Sequence, residues 1–177
     1  MIPAKFLFLP IILQFLIVGF DECYYHNLRP IVRGEQLGHA LDTFSVLACY
    51  AVVLFLPPTP GMILLYILLS VASCAFITKD ELLYHQDCVP AENFVHALAF
   101  ILHPIVFVAV GLLWPALHGA HPASAFTTMI HYHGNEVYLV SGPALLLLVF
   151  ALYELVPRER IWGSWLPVFK QARWAVR

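Results

Sequence analysis

The sequence predicts an all-α integral membrane protein of five transmembrane helices, in which the first four form a pseudo-two-fold four-helix bundle of two duplicated hairpins. Three observations carry this. Hydrophobic residues make up 61% of the 177-residue chain and charged residues only 11%, well below the usual quarter of a soluble domain. Several apolar runs approach or exceed the length that crosses a bilayer, where a helix satisfies its own backbone. Finally, one polar stretch occurs twice. Asp21-Glu22-Cys23-Tyr24-Tyr25-His26 is followed, after a short loop, by Glu35-Gln36-Leu37-Gly38-His39-Ala40-Leu41. Asp80-Glu81-Leu82-Leu83-Tyr84-His85 is followed in the same way by Glu92-Asn93-Phe94-Val95-His96-Ala97-Leu98. Both copies read D-E-x-x-Y-H, a gap, then E-x-x-x-H-A-L.

The whole chain reads as a single membrane domain, with repeat one at 1–57, repeat two at 60–117, and the fifth span with its tail at 118–177. Residues 1–20 are apolar apart from Lys5 and Gln14. No small-x-small cleavage site precedes Asp21, so this segment is expected to be a retained first span continuing into the first motif. Span two covers 35–56 and is stopped by Pro57-Pro58-Thr59-Pro60-Gly61, where proline removes backbone donors and fixes a turn. Span three covers 62–78 and runs on into Lys79-Asp80-Glu81. Val89-Pro90-Ala91-Glu92 opens span four with proline in its first turn; the span reaches 117, and Pro104 and Pro115 predict a kink. A polar segment follows, with a short helix expected around 123–130. Span five covers 136–156. The tail 158–177 holds Trp162, Trp165 and Trp174 among basic residues, the composition of a segment lying in the membrane interface.

Five spans place the termini on opposite sides. With the tail inside, Arg29, Arg33, Lys79, Arg158, Arg160, Lys170, Arg173 and Arg177 fall on the cytosolic side and Lys5 alone on the other. The positive-inside rule therefore predicts a multi-pass protein with a cytosolic C-terminus and both motifs at the cytosolic boundary. No basic patch with interleaved aromatics is present, which argues against nucleic acid as a partner.

The chemistry lies in the repeats. Eight of the eleven acidic residues (Asp21, Glu22, Glu35, Asp42, Asp80, Glu81, Asp87, Glu92) lie in or beside them. Each copy holds two Glu and His pairs spaced i, i+4, so the two side chains share one helix face about 6 Å apart along the axis. A single such pair near a helix end is usually a cap or a solvated face. Four pairs, duplicated with their neighbours at a membrane edge, predict a metal site, because packing alone does not select ionisable residues there. The expected ligands are Glu22, His26, Glu35, His39, Glu81, His85, Glu92 and His96. Antiparallel helices put Glu22 level with His39 and His26 level with Glu35; the second hairpin pairs Glu81 with His96 and His85 with Glu92.

Two divalent ions would offset four carboxylates. Oxygen and imidazole donors suit iron first, with manganese or zinc also accommodated. In architecture the arrangement resembles the ferritin-like di-iron and di-manganese carboxylate sites, which also set Glu and His on four helices. Here every helix carries an i, i+4 pair, whereas those sites use two E-x-x-H pairs and two lone Glu.

Beside the ligands, Asp42 is a candidate acceptor for an imidazole N–H. His103, seven residues past His96 on the same face and deeper in the membrane, could face the site or a substrate cavity, and a satisfied buried histidine explains it equally. Tyr25 and Tyr84 precede a ligand His in each copy and are candidate donors or redox partners, or interface aromatics. His118, His121, His131, His133 and Glu136 form a separate group expected at the far membrane face, where a solvated loop is preferred to a second metal or proton-linked site. The four cysteines have no C-x-x-C spacing and read as reduced bystanders. Glu81→Ala or Glu35→Ala is expected to lose metal and Glu154→Ala to keep it.

These features favour an oxidoreductase in which a di-iron centre uses dioxygen on a lipid-like or hydrophobic substrate, with electrons from a cytosolic donor. The H-x-x-H-H boxes of membrane desaturases are absent. The alternatives are a zinc-dependent membrane hydrolase and a divalent-metal transporter or sensor. A haem carrier using His39, His96 or His103 would leave four glutamates unexplained.

Overall fold

The computed structural model describes residues 2–28, 33–83, 88–119 and 129–156. A 3-10 turn (Ala4–Leu7) leads into α1 (Phe8–Cys23), followed by the short α2 (Tyr25–Leu28), α3 (Arg33–Phe55), α4 (Pro60–Leu83), α5 (Pro90–Leu117) and α6 (Glu136–Leu155). Two strands of two residues, β1 (Ile2–Pro3) and β2 (Ile130–His131), pair in parallel and tie the N-terminus to the segment before α6. Five helical segments are long and apolar enough to cross a membrane: Ala4–Cys23, Arg33–Phe55, Pro60–Lys79, Pro90–Leu117 and Glu136–Leu155. These match the five expected spans to within a few residues. Ile130 lies in β2, so the helix expected around 123–130 does not reach that far; residues 120–128 and the tail from 157 lie outside the described residues.

The proline-rich stop after α3 has a consequence inside the bundle. Carbonyls of the last turn of a helix lack intrahelical donors. Val53 and Leu56 are in addition followed four residues later by Pro57 and Pro60, which have no N–H. Side chains of and just beyond α5 supply the missing donors: His118 Nε2 donates to Val53 O at 2.9 Å and Trp114 Nε1 to Leu56 O at 2.8 Å. Tyr66 of α4 donates to Phe107 O at 2.7 Å, so the phenol is satisfied where no water would reach it. At Gly111 a Cβ would come within 3.3 Å of the Tyr66 ring, and glycine is what lets α4 and α5 approach there. Around these bonds Tyr50, Val53, Val110 and Leu113 form the buried core, while Leu64, Leu68 and Val71 of α4 face outward, as lipid-facing residues do.

Helix pairing differs from a simple row of hairpins. α1 packs along α5, α4 packs along α3, and α3 and α5 touch between them, while α1 and α3 make few contacts along their length. α6 is the largest partner of α3 and belongs to the bundle rather than beside it. The loose end of α6 is held by the start of α3: Arg33 Nη2 donates to Leu155 O at 2.9 Å and Gln36 Nε2 to Val156 O at 2.6 Å. Arg33 also donates to Gln36 Oε1 at 2.9 Å. A cation and an amide thus cap the negative end of the α6 dipole, and the last turn of α6 is fixed beside the motif helices.

A second difference lies inside the first motif. The helix was expected to run unbroken from the first span through His26, but it ends at Cys23. Tyr24 departs from helical geometry at φ −110°, ψ −70°, and the chain restarts as α2. On an unbroken helix residues five apart point about 140° away from each other. The break lets His26 meet both Asp21 and Glu22.

Candidate metal centre

The ends of α1, α2, α3, α5 and α6 gather ionisable side chains in one buried place. His26 Nδ1 lies 2.9 Å from Glu22 Oε2, and its Nε2 lies 3.2 Å from Asp21 Oδ2. The other oxygen of the same carboxylate, Asp21 Oδ1, lies 3.3 Å from His96 Nε2. His39 approaches Glu35 at 3.8 Å, and the His26 and His39 rings are 4.9 Å apart. Glu22, His26, Glu35, Glu92 and His96 are each at most 5% exposed. Charges so deeply buried require counter-charges or metal ions.

Two sets of donors result. Asp21, His26, Glu92 and His96 each offer an atom, all within 4.8 Å of one another, and His26, Glu35 and His39 do the same. His26 belongs to both. Its geometry suits a ligand: Nδ1 donates to the Glu22 carboxylate, which fixes the tautomer and leaves the Nε2 lone pair aimed into the group. Burial pushes the pKa of His26 below its ordinary value, against the opposing pull of Glu22, so the ring is neutral near pH 7, the form that binds metal. A neutral Nε2 lone pair facing a carboxylate oxygen at 3.2 Å is a repulsive contact unless a cation sits between them. Asp21 Oδ1 is moreover buried and receives no hydrogen bond from the described residues. These buried acidic and histidine groups could hold a metal ion.

The fifth span supplies a layer around this cluster that the motifs do not contain. Tyr153 donates to Glu22 Oε1 at 2.7 Å. Glu154, 3% exposed, accepts a 2.9 Å bond from Thr43, whose hydroxyl also lies 3.0 Å from the carbonyl of His39. Glu154 therefore reaches the surroundings of the site through Thr43 of α3 without belonging to either donor set.

Six of the eight expected ligands, Glu22, His26, Glu35, His39, Glu92 and His96, come together here. His85 and the side chain of Glu81 lie outside the described residues, as does Tyr84. The structure adds Asp21, which the i, i+4 spacing passed over, although Asp and Glu occur together in both copies of the motif. Asp42 lies 3.7 Å from Lys79 Nζ and lines the cavity beside the cluster. Tyr25 packs edge-on to Tyr24 and Phe20, at 5.0 and 5.6 Å. His103 bonds to Ser73 and belongs to neither donor set. In the other histidine group, His118 is spent on Val53, His131 and His133 meet edge to face at 4.6 Å, and Glu136 accepts from the backbone N–H of His133. Among the described residues no set of three metal donors forms there; His121 lies outside them.

A cavity of about 380 Å³ opens directly onto the cluster. Asp21, Glu22, His26, His39 and His96 line one end, and its walls are apolar side chains of α1, α3, α5 and α6, among them Phe15, Val46, Phe107 and Leu147. Fold and site together define a multi-pass, membrane-type helical bundle with a buried carboxylate and histidine cluster able to hold a metal ion, joined to an apolar chamber. Compared with protein-family models, characterised proteins and solved structures, the chain matches none, so its function rests on the site itself.

Proposed function

We propose that this protein is a membrane-embedded di-metal enzyme, in which iron is the preferred metal and the reaction is a dioxygen-dependent oxidation of a lipid-like or hydrophobic substrate. The observation that carries the reading is the continuity of the apolar cavity with the acidic and histidine cluster. A metal store needs no chamber for a hydrophobic molecule, and a transporter needs polar groups lining its path rather than phenylalanine and leucine walls.

In this reading Asp21, His26, Glu92 and His96 hold one ion. His26, Glu35 and His39, with Glu22 beside them, hold or support the second, and the second motif adds Glu81 and His85. Bound iron would supply dioxygen activation, with electrons from a cytosolic donor. The protein's own residues orient the ligands: Tyr153 fixes Glu22, Glu22 fixes the tautomer of His26, and Thr43 with Glu154 steadies the turn that carries His39. The apolar walls bind the substrate and exclude water. Asp42, Tyr25 and Tyr84 remain candidates for proton or electron delivery to the site.

The duplication belongs to the same proposal. Exchanging one hairpin for the other turns the α1 and α5 pair into the α4 and α3 pair, which supports a pseudo-two-fold bundle with both motifs at one end. By the positive-inside rule that end faces the cytosol.

A zinc hydrolase is the second reading, favoured by the four-donor set of two carboxylates and two imidazoles. Metal analysis with an absorption spectrum separates them. About two iron ions per chain without a haem band supports the first reading, and a single zinc supports the second.

A further inference from the structure

The cavity has a polar far end. Asp21 of α1 and His96 of α5 meet at 3.3 Å and set a common level for the two helices. Seven residues away from that contact, back along α1 and forward along α5, lie Gln14 and His103. Each is two turns, about 10 Å, further into the membrane, on the same face as the cluster residue of its own helix, and both line the cavity. Gln14 Oε1 is buried and has no hydrogen-bond partner among the described residues. A buried amide acceptor in hydrocarbon is costly unless something donates to it.

The hydrogen bonds around His103 fix what that something is. Ser45 donates its hydroxyl proton to Asp42 O at 2.7 Å, so at its 2.7 Å contact with Ser73 it can only accept. Ser73 thus spends its proton on Ser45 and, at 3.1 Å from His103 Nε2, accepts the ring N–H. The chain Asp42, Ser45, Ser73, His103 runs in one direction and leaves Nδ1 as the ring's acceptor. Two acceptors at one depth in an apolar chamber call for a donor.

We propose that this end of the cavity binds the hydroxyl group of a lipid alcohol, its one proton shared between Gln14 Oε1 and His103 Nδ1, holding it about 10 Å from the ligand layer so that a defined position further along the molecule lies at the cluster. The inference rests on the reading of the cavity as a substrate chamber, and it names the substrate class. Gln14 and His103 are then the residues that decide specificity and the site of reaction.

The test uses the full chain in nanodiscs with a diazirine-bearing long-chain alcohol as photoprobe, competed by 1-hexadecanol, hexadecyl methyl ether or hexadecane at equal mole fraction in the bilayer. Metal content is measured on the same samples. The alcohol should compete about tenfold better than the ether, which only accepts hydrogen bonds, or the alkane, as expected for the loss of one donated bond. Crosslinks should map to α1 and α5. Gln14→Met, close in shape and apolar, should remove most of that preference with helicity and metal content kept; His103→Phe should do the same, and Gln14→Asn should keep part of it. Equal competition by alcohol and ether, or a preference undiminished in folded Gln14→Met, overturns the inference. If no metal binds but the alcohol preference holds and falls in Gln14→Met, the di-metal reading fails while the alcohol site stands. If metal binds and the preference is absent, the alcohol site alone fails.

Discussion

Tyr153→Phe isolates one hydroxyl of the fifth span. It removes the 2.7 Å bond from Tyr153 to Glu22 and leaves the ring, which stacks on Phe150 at 5.8 Å, in place. A hydrogen bond to a carboxylate is worth about 1.5–3 kcal/mol. Glu22 in turn orients His26, the residue common to both donor sets. Loss of such an orienting partner typically weakens metal binding about 10- to 100-fold, in line with the energy of the bond. Titration against a chelator of known affinity would measure this directly, with circular dichroism to confirm unchanged helicity. In a Glu22→Gln background the same substitution should cost less than about threefold, because the two act through one contact. If Tyr153→Phe bound metal as tightly as the unaltered protein, the path from Tyr153 through Glu22 to His26 would play no part in holding the ion.

Other consequences follow from single contacts. Arg33→Ala with Gln36→Ala should lower stability by about 2–4 kcal/mol, because the α6 terminus loses a charged and a neutral donor; thermal unfolding in detergent reads this, and metal affinity should fall with it as Tyr153 and Glu154 loosen. His118→Phe should destabilise by about 1–3 kcal/mol, since Val53 O then keeps neither that donor nor an intrahelical one from Pro57; the same unfolding assay shows it, with metal content unchanged. Glu35→Gln should lose about one of the two ions, because Glu35 belongs to one of the two donor sets. Glu154→Gln should keep it, because Glu154 is in neither donor set; metal analysis of the two variants side by side checks the contrast.

Much of this protein is written in its sequence because a bilayer leaves few options. Five long apolar runs, one stopped by Pro57 and two opened by Pro60 and Pro90, read as spans, and the ends of the helices long and apolar enough to cross a membrane were readable to within a few residues. The site was readable to the extent that it repeats: Glu22, His26, Glu35, His39, Glu92 and His96 were marked by duplicated i, i+4 spacing. Asp21 was hidden by that same filter. Its contact with His26 depends on the break at Tyr24, and no local pattern among Cys23, Tyr24 and Tyr25 announces a break. Glu154 and Tyr153 carry no repeat signal at all. They reach the cluster because α6 packs along α3 and is capped by Arg33 and Gln36, a tertiary event more than a hundred residues apart in the chain. The one clue was cost: an acidic residue in the last turn of a span is expensive and marks a functional position more often than a bystander. The same holds for Gln14, a lone amide in an otherwise apolar first span.

The most direct test is elemental analysis of the purified, detergent-solubilised chain beside His26→Ala, the variant that removes the ligand both donor sets share. The account predicts about two transition-metal ions per chain in the unaltered protein and almost none in the variant, with helicity retained. A chain that purifies without metal and takes up neither iron, manganese nor zinc when these are supplied, or a His26→Ala variant that keeps its full complement, would contradict it.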